Sequence, residues 1–75
     1  AVRGEQARER LATLTPRERD VALAVGAGRP NAEIAVELHV SVATVKAHVS
    51  RLLAKLEVDN RIQIALLVQE ASRAR

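Results

Sequence analysis

The cations best placed to hold an anion lie in one short stretch free of acids. Lys46, Arg51 and Lys55 fall between positions 41 and 56, a run without any acid, and Lys46 and Lys55 are the only lysines in the chain. Residues 31–40, just before it, carry Glu33 and Glu37 and neither Lys nor Arg. Ammonium and guanidinium groups suit phosphate oxygens or the acceptor edge of a guanine. On a helix the same charges can equally form a solvated face, so their position has to decide. Catalysis has less to build on. Glu18 and Glu33 have no base or nucleophile at a fitting spacing, and capping and internal ion pairs explain them better. With no cysteine, and only His39 and His48 as imidazoles, neither a metal site, nor a cofactor, nor enzyme activity is expected.

The elements that position these cations follow from apolar spacing. At 100° per residue, Val45, Val49, Leu52, Leu53 and Leu56 share an arc of about a third of the circumference. The opposite side holds Ala47, Ser50, Arg51 and Ala54, with Lys46 flanking it. Ser41 is a good helix cap, so the spacing predicts a helix over 42–56. Its outer face is slim enough for a major groove about 12 Å wide. The amphipathic pattern alone would fit any small helical bundle.

Upstream, Thr15-Pro16-Arg17-Glu18 is a helix start with a capping box and a proline where its missing N–H costs nothing. Val21, Ala22, Leu23 and Val25 carry that helix to Gly26 and Gly28, which end it. Asn31 is expected to cap a short helix over 32–38, with Ile34, Ala35 and Leu38 on its inner face. His39-Val40-Ser41 is then a turn, and the two helices it joins have helix-turn-helix dimensions. Glu57-Val58-Asp59-Asn60 breaks the chain before a last helix over 61–72. No segment alternates long enough for a strand, so the fold class is all-α. Residues 1–13, rich in Arg and Glu, are expected to be a linker with some helical tendency, joined to a part of a longer protein. Residues 14–75 form the expected domain.

The whole is 75 residues with a net charge of +3, one domain whose sign suits an anionic partner. The core must come from Leu, Val, Ile and Ala, because there is no aromatic residue. The same absence argues against platforms that stack single-stranded bases on rings. Apolar runs are too short for a bilayer, and no signal peptide is evident, so a cytoplasmic setting is expected.

Leu14-Thr15-Pro16-Arg17-Glu18-Arg19, Gly28, Asn31-Ala32-Glu33-Ile34-Ala35, Ser41, Thr44-Val45-Lys46-Ala47-His48-Val49, Lys55-Leu56-Glu57-Val58 and Asn60-Arg61 occur in that order. Over about Leu14 to Val68 the chain resembles the LuxR-type (GerE-like) DNA-binding domain of transcription regulators such as NarL/FixJ-class response regulators. The resemblance implies four helices, a third that reads the major groove and a fourth that commonly dimerises. It implies double-stranded DNA as partner, an upstream regulatory domain and contact with RNA polymerase. Three departures stand out: Ala32 replaces a usual lysine, Glu57 a usual glycine, and Ser50 a lysine that some members carry. A left-handed backbone at Glu57 would cost about 1 kcal/mol.

On this reading Lys46, Ala47 and Ser50 are the base-reading candidates. Asn31, Thr44, His48, Arg51, Lys55 and Arg61 are phosphate candidates. Each has a plainer reading: local hydrogen bonding for Thr44, partly buried packing for His48, capping for Asn31, solvated surface for the three cations. In the last helix Ile62, Ala65, Leu66 and Val68 are expected to face the core. A second sector centred on Ile64, Leu67 and Ala71 is expected to pair with a copy in a homodimer, or else to meet an N-terminal domain. A sigma-factor-like promoter-reading module and a helical protein-interaction module without DNA binding are the two competing functions.

Overall fold

The computed structural model describes residues 2–73. Residues 1, 74 and 75, which the expected linker and domain included, lie outside the described residues. Among the described residues the elements are five helices: α1 (Val2–Ala12), α2 (Pro16–Gly26), α3 (Asn31–Leu38), α4 (Val42–Lys55) and α5 (Arg61–Arg73). The all-α class and the turn between α3 and α4 agree with the sequence reading, while α3 begins one residue earlier and α4 ends one residue sooner than the expected 32–38 and 42–56. α3 packs on α4, while α5 lies along α1 and α2. Ile34, Val45, Leu52, Leu56, Ile64 and Val21 are the largest fully enclosed side chains, so all of α2 to α5 converge on one aliphatic core.

Two expectations are corrected by that packing. Four helices become five because the segment expected to be a linker folds as α1. Ala7 and Leu11, one helical turn apart, are buried in the common core. Burying a leucine side chain contributes about 1.5–3 kcal/mol, which explains how a segment with so few apolar residues docks at all. The second correction concerns α5. Ile64 and Leu67 are 0% and 7% exposed and Val68 is buried with them, so this face belongs to the core and is not open to a second copy. Ala71 is half-buried against the same cluster. Ile62 and Leu66, expected inside, are 69% and 52% exposed. Both faces of α5 have i, i+3, i+4 apolar spacing. Docked α1 and α2 decide which one is covered.

Helix ends are closed by local chemistry. Thr15 Oγ1 accepts from the Glu18 N–H at 3.2 Å while Glu18 Oε1 accepts from the Thr15 N–H at 2.9 Å, completing the expected capping box of α2. α2, α3 and α4 then exit through the same paired bonds. The Arg29, Val40 and Val58 amides donate back to the Ala24, Ala35 and Leu53 carbonyls. Each closure needs one left-handed residue, and these are Gly28, His39 and Glu57, with φ of 80°, 58° and 55°. Only the first is a glycine, so His39 and Glu57 each bear a steric cost of about 1 kcal/mol. The strain that the sequence made conditional at Glu57 is therefore present.

α2 and α5 approach closely at Gly26. A Cβ there would lie 2.7 Å from Val68 Cγ1 and 2.9 Å from Val68 Cβ. Gly26→Ala should therefore lose about 1–3 kcal/mol in urea unfolding from overpacking, outweighing the helix-propensity gain of about 1 kcal/mol. Adding Val68→Ala to that variant should recover part of the loss. A simple gain in stability for Gly26→Ala would contradict the close approach.

Candidate nucleic-acid interface

α4 begins at Ser41, whose Oγ accepts from the Thr44 N–H at 3.1 Å, so its first turn is fixed by its own sequence. The Thr44 hydroxyl lies 2.9 Å from the same Ser41 oxygen. Its local reading therefore describes what it does here, and it lies on the exposed first turn where a phosphate can still approach. From this start, Val45, Leu52 and Leu56 point into the core, with Val49 and Leu53 partly buried beside them. The arc expected from the sequence is the buried arc.

The opposite side is a strip of small exposed residues: Ala43, Ala47, Ser50 and Ala54. Ala43 was missed as a member, although i, i+4, i+7 spacing from 43 to 50 marks it. Lys46 and Arg51 are exposed and border the strip on its two sides. Among the described residues neither is held by an ion pair or a side-chain hydrogen bond. The result is a narrow ridge with free cationic edges.

The other candidates are more engaged. Lys55 Nζ is 2.9 Å from Glu18 Oε1, so the capping carboxylate of α2 also anchors the last turn of α4. Asn31 is the first residue of α3 rather than its cap. Pro30 occupies the capping position and makes no side-chain bond to the helix. Asn31 Oδ1 instead accepts from Arg61 Nη1 at 2.7 Å, and Arg61 Nη2 donates to the Arg29 carbonyl at 3.1 Å. Arg29 in turn pairs with Glu37. Arg61 is thus a strut from the start of α5 to the start of α3. His48 is half-buried, and its Nδ1 is enclosed without a hydrogen-bond partner. That position fits the packing reading better than a free phosphate contact.

Electrostatics around Glu18 are well defined. The Thr15 N–H bond first, and the Lys55 contact second, hold its carboxyl below the usual carboxylate range. The strip itself has no acid on α4 to oppose an anion.

Comparison with known proteins was consistent with this geometry. The description of GerE, bacterial regulatory proteins of the luxR family, matches residues 12–68. The chain is similar to the uncharacterized transcriptional regulatory protein YhcZ of Bacillus subtilis, with 52% identity over 59 residues, 79% of this chain and 28% of that protein. It is 42% identical over 64 residues to the response regulator protein VraR of Staphylococcus saprophyticus, covering 85% of this chain and 31% of VraR. The chain therefore spans less than a third of the length of these relatives. Among solved structures, full-length FixJ from B. japonicum superposes with a TM-score of 0.82 and 26% identity, covering 99% of this chain and 36% of FixJ.

The lowered Glu18 carboxyl carries a signed consequence. A depressed folded-state value contributes stability above the unfolded-state value, near 4.3 for a glutamate, and that contribution is lost as pH falls through the folded value. The melting temperature should drop on acidification below about pH 4.3, and Glu18→Gln should show a shallower drop across the same window. Parallel curves for the two proteins would show that this carboxylate is not selectively stabilised.

Proposed function

Because the chain belongs to the luxR family of bacterial regulatory proteins, we propose that it reads a specific double-stranded DNA sequence with α4 in the major groove. The observation that carries this reading is the exposed strip of Ala43, Ala47, Ser50 and Ala54 bordered by Lys46 and Arg51. Small side chains let the helix axis approach the base edges, and Lys46, near the N-terminal end, reaches a guanine O6/N7 edge. The Ala47 methyl meets a thymine methyl, and the Ser50 hydroxyl adds an adaptable hydrogen bond. Arg51 is the free phosphate partner. Lys55 reaches a phosphate by exchanging its Glu18 partner, whereas Asn31 and Arg61 act first as the strut that orients α3.

In this reading the chain is the effector part of a longer, cytoplasmic transcription regulator. VraR, described as a response regulator, and YhcZ, described as a transcriptional regulatory protein, extend well beyond the matched region. An upstream regulatory domain and a contact with RNA polymerase follow as proposals, and no chemistry is performed on the DNA. Two copies bind inverted half-sites about one helical turn apart. The contact between copies is carried by the exposed face of α5 around Ile62 and Leu66, replacing the buried Ile64 and Leu67.

Mobility shifts across a salt series on duplexes selected from a random library test the DNA reading. Tight binding with a steep salt slope is expected. Failure to bind even at low salt would favour the interaction module. Lys46→Ala should cost about 1–3 kcal/mol and relax preference at one base pair, whereas uniform weakening would restrict Lys46 to phosphate. Sedimentation tests the α5 face: Leu66→Glu should abolish cooperative occupancy of paired half-sites while leaving the fold intact. Unchanged cooperativity would remove Leu66 from the contact.

A further inference from the structure

α1 lies almost wholly outside the residues matched by the family, which begin at residue 12. Yet it reaches the C-cap of α4. Arg10 Nη2 donates to the Leu56 carbonyl, immediately after the last residue of α4. That carbonyl belongs to the C-cap of the helix, at the end where backbone acceptors lack intrahelical partners and the dipole is negative. The next residue is Glu57, held left-handed at φ 55°. The exit of α4 thus combines a strained residue with a guanidinium that favours the conformation carrying the strain.

The rest of α1 is arranged to keep that guanidinium in place. Ala7 and Leu11 are buried on either side of Arg10 in sequence. The Arg10 carbonyl accepts both the Thr13 N–H at 3.2 Å and the Thr13 hydroxyl at 2.7 Å, closing the helix just beyond it. Lys55, beside Leu56, is held independently by Glu18. The C-terminal end of α4 is consequently clamped from two helices, by a carboxylate on α2 and a guanidinium on α1. Its groove-facing side has no such support, because that side must remain bare.

We propose that Arg10 is a positioning residue for DNA recognition, setting the exit of α4 through the Leu56 carbonyl without touching DNA itself. This rests on the DNA-binding reading above. It makes α1 a working part of the domain, because any shift of α1 along α5 withdraws the guanidinium from the recognition helix.

The test uses the whole chain and the library-selected operator duplex. Arg10→Met keeps the aliphatic stem but removes the donors, and it should weaken operator binding roughly 2- to 10-fold, the range of one hydrogen bond. The salt slope should not change, and Arg10→Lys should recover most of the loss. In a Glu57→Gly background, where the strain is absent, the effect of Arg10→Met should shrink to less than half. A salt slope lowered by about one would make Arg10 a direct phosphate contact and overturn the proposal. An equal loss in both backgrounds, or no loss at all, would also overturn it. Amide exchange without DNA separates this proposal from the DNA reading. Arg10→Met should accelerate exchange at Glu57 and Val58 relative to Val25, and unchanged protection there would refute the contact whether or not the parent chain binds duplex.

Discussion

A helix with one face left bare can be gripped by only part of its surface. On α4 that part is the arc of Val45, Leu52 and Leu56, with Val49 and Leu53 at its margins. Everything else that holds α4 must act at its ends. Ser41 fixes the first turn, and Glu18 and Arg10 fix the last through Lys55 and the Leu56 carbonyl. The remaining helices supply these three kinds of hold. α3 backs the arc, α2 brings Glu18, and α5 provides the surface on which α1 carries Arg10.

This division explains why the charged residues do unequal work. Lys46 and Arg51 border the bare strip and hold no partner among the described residues, so they are free for an anion. Lys55 and Arg61 carry the same formal charge but are spent inside the domain, on Glu18 and on Asn31 with the Arg29 carbonyl. A cation already engaged must break a bond before meeting a phosphate, and surface pairs of this kind are weak enough for that exchange. Engagement, rather than charge count, ranks the contacts.

Much of this was legible in the residues, because the signals were local. The capping box of Thr15 and Glu18, the Ser41 cap and the arc from Val45 to Leu56 depend only on spacing within one helix, and all were found in place. What failed depended on distant partners. α1 has few apolar side chains, so its Ala7 and Leu11 carry no visible amphipathic pattern until α5 is beside them. The two apolar faces of α5 cannot be ranked by periodicity, and the docked α1 and α2 cover the one with Ile64 and Leu67. Asn31 had the residue type of a cap, but the preceding Pro30 took the position and left its amide for Arg61. The luxR-family resemblance is carried by motifs from Leu14 to Arg61, which is why it points to α4 as the proposed reading helix and says nothing of α1.

The most direct test of the central claim is to map backbone amide shifts while titrating the folded chain with its selected operator duplex. The largest perturbations should fall on Ala43, Lys46, Ala47 and Ser50, with the exposed Val36 of α3 and the Glu57 exit little affected. Perturbations centred on α3 or α5, with the α4 strip silent, would contradict the assignment of α4 as the reading helix.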